Sequence, residues 1–235
     1  MPIEITLERR KIVLDGNTAA LAKGATSRDF LRKQFEHAIA LQPSLYTDAG
    51  LLQVQTASLN FLITRYSEQL VRNALQEVEF FLSRKRPFYS EPGYAPLYYF
   101  SHQVSHASSK ASRHTINKSA LAAVGEGTAA LLLQQLLHAR ILSRPIHDYP
   151  DLVGLGAPTG RQIVNSKLYL TEVKATCMRS VGAMKQTLAE EVFRLAAYTA
   201  AAQDLEPSVS MVGLLIGIVV HRIDRFHALL TEVTL

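Results

Sequence analysis

The chain has only one cysteine, Cys177, among its 235 residues. A single thiol cannot form a disulfide within the chain, and it excludes a zinc site built from several cysteines. Because so few thiols suit a reducing compartment, we expect a cytoplasmic protein. The chain also lacks the glycine-rich patterns G-x-x-x-x-G-K-S/T and G-x-G-x-x-G. Nucleoside triphosphate hydrolysis and dinucleotide chemistry therefore have no support in the sequence.

Long hydrophobic stretches are missing as well. The longest strongly apolar run, residues 209–220, is too short to span a bilayer. The first residues, MPIEITLERRKIVL, lack the apolar core of a secretory signal. We therefore expect no membrane partner, and we interpret residues 209–220 as a buried strand.

Positive charge is concentrated in the first half of the chain. Residues 1–118 carry 15 Lys and Arg against 10 Asp and Glu, whereas residues 119–235 carry 10 of each. A basic half beside a neutral half suits a surface that binds a polyanion next to a catalytic core. Ordinary solubilising charge is an equally good explanation when the charge is considered alone.

Helical spacing of apolar residues characterises the first half. It predicts one helix over residues 27–40, and a second helix, or two with a kink, over residues 51–86. Prolines and glycine then interrupt the pattern, beginning at Pro87. We therefore divide the chain into a helical, basic N-terminal region, residues 1–118, and a second region, residues 119–235.

The second region alternates between helix and strand patterns. We expect helices at 119–141 and 181–204 and strands at 151–156, 167–176 and 211–220. A strand, a long helix and another strand favour a right-handed crossover, so part of the sheet should be parallel or mixed. The expected fold class is α/β.

Two carboxylates and a lysine stand out on this expected sheet. Asp151 precedes Glu172 by 20 intervening residues, and Lys174 follows Glu172 at a spacing that puts both side chains on one face of a strand. Neighbouring carboxylates repel unless a hard cation such as Mg²⁺ lies between them. Asp151, Glu172 and the main-chain carbonyl of Val173 would then supply metal ligands, and Lys174 would orient a water molecule and offset transition-state charge.

The combination Pro150-Asp151 with Glu172-x-Lys174 resembles the signature of the PD-(D/E)xK nuclease superfamily, which has the restriction-endonuclease-like fold. The resemblance covers roughly residues 119–220. It implies an αβββαβ core and a DNA endonuclease that depends on Mg²⁺ or Mn²⁺ and serves in restriction or phage defence. Many members carry a glutamate on the helix before the Asp-bearing strand, which implies a catalytic and metal-binding role for Glu126.

Several alternatives stay open at this point. The chain could be a non-catalytic nucleic-acid-binding or assembly protein on a nuclease-like core, or a nuclease specific for RNA or for junctions. Glu126 could simply be a carboxylate favoured near a helix N-terminus, and Lys174 could pair with Glu172 for structural reasons. His102, His106 and His114 are a further candidate metal group, although a loop is the simpler interpretation. The oligomeric state is open, with a homodimer among the options.

Overall fold

Seven strands form one mixed sheet in the part of the chain that the structure describes. The computed structural model describes residues 2–25, 29–40, 45–69, 71–82, 117–145, 149–156, 167–177 and 179–235. The strands are β1 (Pro2–Val13), β2 (Thr47–Gln55), β3 (Ala139–Ser143), β4 (Leu152–Gly156), β5 (Lys167–Thr176), β6 (Ser210–Arg222) and β7 (Arg225–Thr234). Their order in the sheet is β2-β1-β7-β6-β5-β4-β3.

Helices cover both faces of this sheet. They are α1 (Gly16–Gly24), α2 (Asp29–Ala40), α3 (Thr56–Tyr66), α4 (Ala74–Leu82), α5 (Lys118–Gln135) and α6 (Val181–Leu205). Residues of α3, α4 and α5 form one apolar core against one face, and residues of α1, α2 and α6 form a second core against the other. The described chain is therefore a mixed α/β protein with a sheet between two helical layers.

The pairing of β5 with β6 reflects the helix that joins them. Antiparallel neighbours need only a hairpin, whereas α6 carries the chain back along the sheet, so β6 enters parallel to β5. Residues 211–220 of β6 are all buried, as expected for a strand covered on both faces. The predicted parallel pair joined by a long helix is confirmed.

Helix α5 lies deeply within the α3–α4 layer. Asn117 caps its N-terminus by accepting hydrogen bonds from the amides of Ser119 and Ala120. All residues from Ala123 to Leu133 are buried, which explains a sequence dominated by alanine and leucine. Glu126 is the one acidic side chain on this helix, so its carboxylate must find a polar partner inside the fold.

The N-terminal region predicted as helical, residues 1–118, contains strands as well as helices. Residues 2–13 and 47–55 are strands, and β1 pairs in parallel with β7, which belongs to the second region. The sheet therefore runs across the expected boundary at residue 118. The helix expected over residues 119–141 also ends earlier, at Gln135, because residues 139–143 form β3 just before Pro145.

Candidate active site

Strand β5 carries the central residues of the candidate site. Glu172 lies opposite Leu215 of β6, whose side chain belongs to the α6-side core, and Val173 lies opposite Ile216, which belongs to the α5-side core. Because strand side chains alternate, Glu172 and Lys174 project together toward α6, and Val173 projects toward α5. This agrees with the alternation expected from the sequence.

Asp151 reaches β5 from the start of the neighbouring strand. It immediately precedes β4, whose first residue, Leu152, pairs with Thr171. Its Oδ2 accepts a hydrogen bond of 2.7 Å from the amide of Val173. Since the N–H and C=O groups of one strand residue point to the same side, the Val173 carbonyl also points toward the β4 edge. The backbone of Val173 and the carboxylate of Asp151 therefore meet.

Glu172 and Lys174 form a close ion pair. The Nζ of Lys174 lies 2.7 Å from Oε1 of Glu172, whose side chain is 9% exposed, compared with 30% for the lysine. A buried carboxylate needs such a partner. The lysine, being more exposed, contacts the carboxylate and still faces solvent, so the pair is compatible with both a structural and a catalytic role.

The surroundings of Asp151 disfavour its charged form. Burial raises its pKa, and the charge of Glu172 raises it further, while the Val173 amide and Lys174 act in the opposite direction; the resulting pKa is about 7. Burial and the neighbouring charge of Glu172 thus both disfavour the ionised form of Asp151. A hard divalent cation favours the ionised form of Asp151 and takes oxygen ligands, so this donor set fits Mg²⁺ or Mn²⁺.

Glu126, on α5, lines the same cavity as Asp151 and Glu172, but its carboxylate is hydrogen-bonded to a different residue. Its Oε2 accepts a hydrogen bond of 2.5 Å from the amide of Glu68, in the connection between α3 and α4. Burial raises the pKa of Glu126, and its charge contributes to the raised pKa of Asp151. Within the described residues, no three His, Cys, Asp or Glu side chains form a group that could hold a metal ion. A ligand role for Glu126 therefore stays a prediction.

A cavity of about 570 Å³ brings these residues together. Its walls come from the start of α5, the β5–α6 connection, the first turns of α6 and the α3–α4 connection. The acidic side chains that line it are Glu68, Glu126, Asp151 and Glu172, and the basic ones are Lys118, Lys174 and Arg179. The four predicted catalytic residues thus share one cavity.

Sequence reasoning missed the aromatic contacts that brace the Asp151 segment. The guanidinium of Arg194 lies 4.5 Å from the ring centroid of Tyr149, and the ring of Tyr198 packs edge-on against Tyr149 at 4.9 Å. Both partners lie on α6, one turn apart. Their i, i+4 spacing was the available signal, because such residues share a helix face. These contacts fix the backbone two residues before Asp151.

Cys177 is a poor candidate for a catalytic nucleophile. Burial raises the pKa of the half-buried Cys177 thiol to about 11, which argues against a nucleophile at neutral pH. His102, His106 and His114 lie outside the described residues.

Comparison with protein-family models, curated proteins and solved structures gave no match to this chain. Among the described helices, none is both long enough and apolar enough to cross a membrane.

Proposed function

We propose that this chain is a nuclease that hydrolyses DNA phosphodiester bonds with Mg²⁺ or Mn²⁺, on a restriction-endonuclease-like αβββαβ core. The succession α5-β3-β4-β5-α6-β6 supplies helices and strands in that order. It includes β3, which ends just before Pro145. A role in restriction or phage defence rests on the sequence resemblance alone.

One observation carries the proposal: Asp151, which immediately precedes β4, meets Glu172 and Lys174 of β5 around the backbone of Val173. The Asp151–Val173 hydrogen bond fixes one carboxylate, and the Lys174 ion pair fixes the other. Two carboxylates whose charges repel are unfavourable for stability, so their presence in a solvent-accessible cavity points to function.

The residues divide into a cation-binding set and a substrate-facing set. Asp151, Glu172 and the Val173 carbonyl would hold the cation, with Glu126 as a further carboxylate in the same cavity. When bound, the cation polarises the phosphate and lowers the pKa of a water molecule. Lys174 orients the attacking water and offsets the charge of the pentavalent transition state, which its partial exposure permits.

Cleavage of circular and linear DNA, with Mg²⁺, with Mn²⁺ and with excess chelator, tests this function. Asp151→Asn is the informative variant because the amide oxygen can still accept the Val173 hydrogen bond while the charge is lost. Asp204→Asn is a matched control: Asp204 pairs with Lys23 near the end of α6, about 30 Å along the helix from Met184 at the cavity. We expect Asp151→Asn to lose cleavage and Asp204→Asn to keep it.

A second measurement follows metal binding without catalysis. A cation that binds only the folded state raises the melting temperature by mass action, so Mg²⁺ should stabilise the wild type and the Asp204→Asn variant, but Asp151→Asn much less. Full cleavage in chelator, or wild-type cleavage by Asp151→Asn, contradicts the proposal. Preferential cleavage of RNA, or DNA binding without any cleavage, would favour one of the two alternatives.

A further inference from the structure

Among the charged residues that line the candidate cavity, the most buried are acidic and the most exposed are basic. The acidic side chains of Glu126 and Glu172 are buried at its base. Lys118 and Arg179, which also line the cavity, are exposed at its rim. A negative floor beneath a positive rim suits a ligand that carries several negative charges, because the rim can neutralise groups that the floor would repel.

The two rim cations belong to opposite walls. Lys118 is the first residue of α5, and Arg179 directly precedes Ser180, which caps α6 by accepting from the amide of Ala183. Both helices present their first turns to the cavity, so the partial positive charge of each N-terminus adds to that of the neighbouring cation. The rim is thus positive on both sides of the catalytic residues.

Neither rim cation is neutralised within the described parts of the chain. Lys118 and Arg179 form no ion pair there, whereas Lys174 and Lys185 are each bound to a glutamate. Arg179 donates one hydrogen bond of 3.0 Å to the hydroxyl of Thr187, which also lines the cavity. This contact orients the guanidinium along the wall and leaves further N–H groups for an anionic acceptor.

We propose that Lys118 and Arg179 bind the phosphates on either side of the phosphodiester that is cleaved. The inference rests on the proposed nuclease function and specifies its substrate class, a chain of consecutive phosphodiesters rather than an isolated phosphate ester. The two residues position the backbone across the cavity and contact no reacting atom. Removing either one therefore weakens binding of every sequence equally.

Binding in excess chelator tests the inference without relying on cleavage. The probe is a fluorescent DNA oligonucleotide of about 20 nucleotides, single-stranded and as a duplex, titrated by anisotropy over a range of salt concentrations. For each of Lys118→Ala and Arg179→Ala, the slope of log affinity against log salt should become shallower by about 0.9 on the duplex and about 0.7 on the single strand. Lys23→Ala, on α1 where Lys23 pairs with Asp204 near the C-terminal end of α6, should leave the slope unchanged.

The conservative variants Lys118→Arg and Arg179→Lys should restore most of the slope, because the charge is kept. Inorganic phosphate should compete only weakly with the oligonucleotide. We call this binding of phosphates by Lys118 on one side and Arg179 on the other the two-sided clamp. An unchanged slope in either alanine variant overturns the clamp, even if the wild type cleaves DNA. Shallower slopes in both, with no cleavage by the wild type in Mg²⁺, support the clamp and contradict the nuclease function. In a cleaving enzyme, a raised KM with little change in kcat supports a positioning role, whereas an equal loss of kcat overturns it.

Discussion

The glycines on either side of Glu126, Gly125 and Gly127, let α5 pack very closely against β5 and α3. The cost of replacing them can be predicted from these contacts. A Cβ at Gly127 would lie 2.8 Å from the Cα and 2.9 Å from the backbone nitrogen of Ile63 in α3. A Cβ at Gly125 would lie 2.7 Å from the Cβ of Ala175 in β5. These neighbours are backbone or rigidly attached to it, so neither can move aside by a side-chain rotation. Alanine at either position must displace α5 from a neighbouring element.

Two opposing effects set how much each Gly→Ala substitution changes the stability of the fold. Replacing an interior helical glycine with alanine favours the helix by about 1 kcal/mol, whereas overpacking a core costs about 1–3 kcal/mol. With contacts this short we take the upper part of that range, so each variant should lose about 1–2 kcal/mol. For a chain of this size, that corresponds to a fall in melting temperature of about 2–8 °C.

Gly182 provides the matched control for this comparison. It lies in the first turn of α6, and the nearest atom to a Cβ built there, Oγ of Ser180, is 3.8 Å away. Gly182→Ala should therefore raise the melting temperature by up to about 4 °C. Thermal unfolding followed by circular dichroism compares the three variants. If Gly127→Ala were as stable as Gly182→Ala, the close approach of α3 and α5 would be refuted.

Three further predictions concern individual side chains. Lys174→Ala should lower cleavage by about 10²-fold or more with DNA affinity largely intact; an unfolded variant would favour a purely structural pair with Glu172. Burial raises the pKa of Glu77, so its protonated form favours folding and that contribution is lost as pH rises through the folded pKa. Glu77→Gln can still accept the hydrogen bond from Asn117. Its stability advantage over the wild type should therefore grow from about pH 4 to pH 7 in thermal unfolding; an advantage that shrinks over this range contradicts the prediction. Cys177, with its pKa of about 11, should react with iodoacetamide at neutral pH far more slowly in the native than in the unfolded protein, and equal rates would contradict its burial.

The strands and helix around the site were predictable because their local patterns agree with their tertiary environment. The expected ranges 151–156, 167–176, 181–204 and 211–220 correspond closely to β4, β5, α6 and β6. Ser180 provides the N-terminal cap of α6. Where local and long-range preferences coincide, the sequence alone locates an element.

Strands β1 and β2 were not predicted, for different reasons. Strand β2 is exposed along most of its length, so burial imposes no alternation on it. Its Leu51, Leu52 and Val54 therefore resembled the start of the helical pattern that continues with Leu59 and Leu62. Strand β1 does alternate, as Ile3, Ile5 and Leu7 show, but its parallel partner β7 lies more than 200 residues away in sequence. Pairing at that distance leaves no local signal.

The position of Glu126 shows why the site could be predicted only in part. Its type and order along the chain agreed with the nuclease resemblance, and it does line the cavity. Its hydrogen-bond partner, the amide of Glu68, comes from the α3–α4 connection and could not be inferred from spacing. That bond holds a segment of residues 1–118 against α5, and Glu68 and Gln69 then form a cavity wall. Because the sheet also crosses residue 118 through β1 and β7, the first region is part of the structure that builds the candidate site.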